Sequence, residues 1–172
     1  MKGINAYAIV AMIVFLSGCS EVAAPFSGTL AITLTPAEST IDVGEEVMLT
    51  VGVKSARNLF AVSFDIAFDS KIVVVDSVYA VPSGILGPEA IISQIQPRPG
   101  MMCVGIGRTQ TSADDCVSGT GDLVRVRFRA RVAGSTRVVV PRVMIVDEDG
   151  RQNSELDECQ LNEATIVVQK GR

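Results

Sequence analysis

Asn58-Leu-Phe-Ala-Val-Ser-Phe-Asp-Ile-Ala-Phe-Asp-Ser-Lys-Ile-Val-Val-Val-Asp-Ser-Val78 is the stretch on which the fold turns. Val62, Phe64, Ile66 and Phe68 alternate with Ser63, Asp65 and Ala67, the period-two pattern of a strand with one buried face. Asp69-Ser70-Lys71 breaks the run, and a second apolar run opens at Ile72. A strand, a tight turn and another strand follow from these residues alone.

The same grammar repeats along the chain. Leu30–Leu34 reads as a strand ended by Pro36, and a loop holding Asp42-Val43-Gly44-Glu45 leads into Val47–Val53. Ala61–Phe68 and Ile72–Tyr79 come next. Ala90–Ile95 is a short strand or a helical turn, because Gly84, Gly87 and Pro88 interrupt the approach to it. Met101–Arg108 and Leu123–Val132 read as strands. Arg137–Val146 reads as another, bent by Pro141, and Ala164–Val168 closes the set. No amphipathic helix is long enough to build a βαβ unit. The expectation is an all-β chain, a jelly-roll β-sandwich of about nine strands.

The first residues have another character. Lys2 precedes an apolar run, Ala6–Leu16, that is too short to span a bilayer comfortably. It ends in Leu16-Ser17-Gly18-Cys19, which resembles the bacterial lipobox. Residues 1–18 are therefore expected to be a lipoprotein signal peptide, and Cys19 the lipidated first residue of the mature protein. Residues 19–28 form a lipidated tether, of which Ser20–Ser27 reach at most roughly 30 Å, and residues 29–170 form one domain. A bacterial cell-envelope location follows. Ser20 stands where inner-membrane retention is typically signalled by Asp, so by resemblance the outer membrane is favoured.

Removing the leader takes Lys2 and no acid, leaving 14 of the 15 basic residues against 19 acidic ones. A mildly acidic protein is a poor partner for nucleic acid. The chain contains no histidine, which removes Ser-His-Asp and Cys-His catalysis and imidazole metal sites. Paired carboxylates such as Asp114 with Asp115 sit side by side in turn segments, not across a cleft. No enzyme is expected, and no cofactor. Asp147-Glu148-Asp149-Gly150, followed by Asn153, Glu155 and Asp157, is an oxygen-rich loop that calcium would accept. It lacks EF-hand spacing, so a solvated turn built on Asp147 and Asp149 is the preferred reading.

Arg125, Arg127, Arg129 and Arg131 alternate with Val126, Phe128, Ala130 and Val132, placing four guanidinium groups on one outer strand face. One reading is an anion site for lipid headgroups or acidic glycans. The other is a solvated face whose arginines pair with acids such as Glu46 and Asp76. Tryptophan is absent and there are two tyrosines. Sugar modules stack pyranose rings on exposed aromatics, so carbohydrate binding ranks below protein binding here.

Several segments together resemble the cohesin domain family. Val62–Asp69 with its turn and the Ile72-x-x-Val75-x-x-Val78 run looks like that family's third and fourth strands. Val43-Gly44-Glu45-Glu46-Val47 looks like the approach to its second. Gly119–Gly134 resembles its seventh, and Val143–Gly150 is similar to the end of its eighth. The resemblance covers roughly residues 30–168. It implies a binding module whose partner, a dockerin or dockerin-like helix pair, docks on the flat sheet of the family's strands eight, three, six and five. On that sheet the outward residues would be Ser63, Asp65, Ala67, Met101, Cys103 and Gly105. The opposite register, with Cys103 buried, stands as the alternative. Type I members carry an Asn-x-Asp pair where this chain has Ala61 and Ser63, a departure at the recognition strand. The resemblance also places the loops carrying Cys116 and Cys159 at one end of the sandwich. It therefore favours a Cys116–Cys159 disulfide worth roughly 3–5 kcal/mol, with Cys103–Cys116 as runner-up.

The sequence thus leads to a lipid-anchored module that binds a protein through a flat sheet face. A polysaccharide-binding or adhesion module of the same sandwich class, and a structural envelope lipoprotein, are the alternatives.

Overall fold

A computed structural model of the chain describes residues 28–109, 116–147, 149–152 and 159–171. The leader, Cys19 and most of the tether lie outside the described residues, as do Asp114, Asp115, Glu148, Asn153, Glu155 and Asp157. Among the described residues there is no helix, and none long and apolar enough to cross a membrane. Eleven strand segments are found there: β1 Ala31–Thr35, β2 Glu38–Asp42, β3 Glu46–Leu59, β4 Ala61–Ala67, β5 Val73–Ala80 and β6 Ile91–Arg98, then β7 Met101–Gly107, β8 Val117–Ala130, β9 Gly134–Val146, β10 Gln160–Leu161 and β11 Ala164–Gln169. They form two sheets, ordered β10-β1-β3-β8-β5 and β2-β11-β9-β4-β7-β6.

The expected jelly-roll sandwich is present, with more segments than the nine expected. Pro36 does end β1, as its missing N–H requires. The chain then crosses to the other sheet, where β2 runs parallel to β11. Glu38-Ser-Thr-Ile-Asp42 is polar because it is an edge strand, so no apolar alternation announces it. β10 has two residues and adds a short parallel edge to β1. Ala90–Ile95 resolves as a strand, β6, with Pro97 near its end on the sheet edge, where a proline removes no ladder bond.

Phe64, Ile66, Val104 and Ile145 from one sheet meet Leu49, Val51, Val126 and Phe128 from the other, all within 1% of full burial. Phe68, just past β4, packs edge-to-face on Phe128 with centroids 5.3 Å apart and planes at 80°. One aromatic pair therefore ties the sheets together. Pro141 sits in a register shift between β4 and β9, where Asp65 opposes Arg142 but Ala67 opposes Val139. A bulge there absorbs the residue that cannot donate, and it sets Arg142 on the outer face.

Candidate functional site

Burial along β4 and β7 decides which side chains face out. Val62, Phe64 and Ile66 are buried on β4, and Met102, Val104 and Ile106 on β7. Ser63, Ala67, Met101, Cys103 and Gly105 are on the outer face, half-buried, so the outward register of Cys103 is the one realised. Asp65 shares that face but is only 7% exposed, for a reason given below.

The strand registers then build the face row by row. Val146, Ala61, Gly107 and Ile91 are paired across β9, β4, β7 and β6. Met144, Ser63, Gly105 and Ser93 form the next row, and Arg142, Asp65, Cys103 and Ile95 the third. In the first two rows the central strands carry only alanine, serine and glycine, while β9 carries Val146 and Met144 and β6 carries Ile91 beside the smaller Ser93. The surface is therefore a valley between two ridges. Ile91 and Ile95 are each 65% exposed and Met144 is 45% exposed, so the ridges are apolar and open to solvent. A groove of about 340 Å³ is lined by Ala61, Ser63, Gly105, Gly107, Ile91 and Met144 among others. A second, of about 210 Å³, continues past Ser93, Ile95 and Cys103. Single exposed apolar residues are ordinary; here Ile91 and Met144 flank the first groove and Ile95 the second, so the exposed apolar residues cluster on one face.

The third row carries the charge. Asp65 accepts from Arg142 Nε at 3.0 Å and Nη2 at 3.4 Å. The Cys103 thiol, directly across β7, donates to the same carboxylate. That thiol holds Asp65 below the usual carboxylate range; burial pushes the other way, and Arg142 adds to the lowering. The same bond, with burial and the nearby negative charge, raises the Cys103 thiol, which Arg142 offsets in part. Asp65 is thus a bridge between two neighbouring strands, which is why it is covered.

Two consequences can be measured. A carboxylate lowered in the fold contributes stability above its unfolded pKa, lost as pH falls through the folded value. A raised thiol contributes below its unfolded pKa, lost as pH rises through the folded one. Urea midpoints should therefore form a plateau between about pH 5 and 8 and fall on both sides. At pH 8 iodoacetamide should label Cys103 more slowly than a model thiol, since only thiolate reacts. Asp65→Asn should speed that labelling when the Cys103 peptide is followed by mass spectrometry. Equal rates in both proteins would sink the bridge.

Other expected features resolve differently. Arg125, Arg127 and Arg129 stand on the outer face of β8, with Val126, Phe128 and Ala130 buried behind, and Arg131 is exposed just past its end. Arg127 and Arg129 are engaged with Glu46 and Asp76, Arg127 at 3.6 and 4.0 Å, so the centre of the stripe is a cross-strand ion network. Asp147 Oδ1 accepts from the backbone N–H of Asp149 and Arg151, and Asp149 pairs with Arg151. Asp147 thus holds the turn and Asp149 an ion pair, while Glu148, Asn153, Glu155 and Asp157 of that loop lie outside the described residues.

The Cys116–Cys159 disulfide is not made. Cys116 precedes β8 and Cys159 precedes β10, and β1 and β3 lie between those strands. Three strand spacings separate them by roughly 14 Å, against less than about 7 Å between Cα atoms for a bridge. Cys116 donates to Asn58 O at 3.3 Å instead. The runner-up fails as well, since Cys103 lies on the outer face of the other sheet.

The ridges were not legible as a site. Ile91-Ile-Ser-Gln-Ile95 does not alternate cleanly, and Arg142 and Met144 lie in a stretch whose pattern gives only a strand bent by Pro141. The one available signal was Met144 outward between inward Val143 and Ile145.

Comparison with known proteins gives a consistent result. The family model that matches the chain is the Cohesin domain, over residues 30–166. No curated protein matches it. Among solved structures, a non-cellulosomal cohesin of the archaeon Archaeoglobus fulgidus superposes with a TM-score of 0.65 at 17% identity, covering 83% of this chain and 93% of that one. A cohesin module from a family 33 glycoside hydrolase of Clostridium perfringens gives 0.65 at 10% identity, covering 84% and 98%. A chain from a type I cohesin–dockerin complex of Clostridium thermocellum gives 0.66 at 13% identity, covering 83% and 94%.

Proposed function

Because this chain belongs to the cohesin domain family, we propose that it is a protein-binding module whose β9-β4-β7-β6 face receives a dockerin or dockerin-like helix pair. The observation that carries this reading is the valley of Ala61, Ser63, Gly105 and Gly107 between the exposed ridges of Ile91, Ile95 and Met144. A floor without large side chains lets a helix backbone approach closely, and the ridges supply apolar contact. Ala61 and Ser63 occupy the positions at which type I members carry an Asn-x-Asp pair. Recognition here rests on shape and apolar contact rather than on those hydrogen bonds.

Neither groove is lined by an aromatic ring, which favours protein over polysaccharide. The lipobox-like Leu16–Cys19 supports anchoring through Cys19 in the cell envelope, the outer membrane being the favoured destination. With a tether of about ten residues, the partner would be held near the membrane surface. The protein would then act as a recruiting post rather than as a catalyst.

The test is capture from an envelope extract of the source organism, on immobilised protein, with calcium and then with chelator. A dockerin-like partner folds around calcium loops, so it should bind with calcium and elute with chelator. Retention that chelator does not disturb would rule out the dockerin-like version.

A further inference from the structure

We infer that the partner presents one amphipathic helix to this valley, with an apolar side chain in the groove and a carboxylate four or seven residues away against Arg142. The inference rests on the protein-binding reading above and adds the chemistry of the partner.

The dimensions select a helix. β9 and β6 are three strand spacings apart, roughly 14 Å, and a helix with its side chains is about 10–12 Å across. The floor is Ala61, Ser63, Gly105 and Gly107, so the helix can lie along β4 and β7 with Met144 on one flank and Ile91 on the other. The first two rows are apolar or small, which is where a leucine- or isoleucine-sized side chain fits.

The third row lies two residues, about 7 Å, further along the strands. There the partner meets guanidinium rather than carboxylate. The Arg142 side chain is 75% exposed although it bonds Asp65, whose own side chain is 11% exposed. Nε and one Nη of Arg142 face Asp65, leaving the other Nη to donate outward. Arg98, paired with Met101 at the next register position, is exposed too. This end of the face therefore presents positive charge on a chain whose overall balance is acidic. A helix rises about 1.5 Å per residue, so positions i+4 and i+7 lie about 6 and 10 Å from the apolar anchor. Those are the positions at which an acid reaches Arg142.

A displayed library of two-helix scaffolds, randomised on one helix face and panned on the full chain, tests this. The expected winners carry an apolar residue with Asp or Glu four or seven positions away, in either direction along the helix. Their Kd should rise roughly tenfold on Arg142→Gln and by a smaller factor on Arg98→Glu, and binding should weaken with added salt. Arg98→Glu touches an exposed residue, so it answers even where Arg142→Gln unfolds the domain, which thermal melting would reveal. Winners without such acids, bound equally by both variants yet lost on Gly105→Arg, would overturn the acidic-helix inference and leave the binding face standing. Winners that bind Gly105→Arg as well as the parent would overturn the face itself, and this inference with it.

Discussion

Gly105→Arg should abolish partner capture, weakening binding by about a hundredfold or more, while leaving the fold intact. Gly105 lines both grooves, so a side chain there fills the valley floor at its middle. Its backbone is not in the left-handed region, and a Cβ would meet Ser93 Oγ at 2.9 Å, the end of a small side chain that can rotate away. The arginine then projects outward into solvent. The expected change in unfolding free energy is under about 1 kcal/mol. Gly107 is a poorer choice, because a Cβ there meets Ala61 Cβ at 2.9 Å and nearby backbone. The measurement is calcium-dependent capture on the variant beside the parent, with denaturant melts of both. Undiminished capture by a folded Gly105→Arg protein would remove the valley from the binding site.

Phe128→Ala should carry the largest stability cost, about 3–5 kcal/mol. Phe128 is fully buried on β8, between Val47 of β3 and Val75 of β5. Its ring meets Phe68, which belongs to the opposite layer. Truncation leaves a cavity at the sheet-to-sheet contact and removes an edge-to-face pair worth roughly 1 kcal/mol beyond burial. A domain of this size has about 5–15 kcal/mol in all, so the loss would be plain in urea unfolding at neutral pH. A cost below about 1 kcal/mol would mean that the sheets are not joined as described.

The scaffold was legible because its alternation was uninterrupted where it mattered. Val62, Phe64, Ile66 and Phe68 are all buried, and the outward positions of β4 and β7 follow from period two. What stayed hidden was lateral. Alternation says which way a side chain faces, but not which strand lies beside it. The Asp65–Arg142 pair joins residues 77 positions apart across neighbouring strands, and nothing local to either announces it. The Cys116–Cys159 expectation failed for the same reason: sharing one end of a sandwich does not bring strands separated by two others into bonding range. β2 escaped notice because an edge strand is free to be polar. Ile91 and Ile95 look like core in composition and are exposed ridge in fact. An apolar residue kept in solvent is a signal only the structure can display.

Docking on the valley of β4 and β7 and docking on the arginine-bearing outer face of β8 make opposite demands on backbone protection. Hydrogen-exchange mass spectrometry of the chain, alone and with the captured partner, separates the two. Slowed exchange in peptides spanning Ile91–Gly107 and Ala61–Ala67, with Arg125–Arg131 unchanged, is the predicted result. Protection confined to Arg125–Arg131, with the valley peptides exchanging as before, would contradict it.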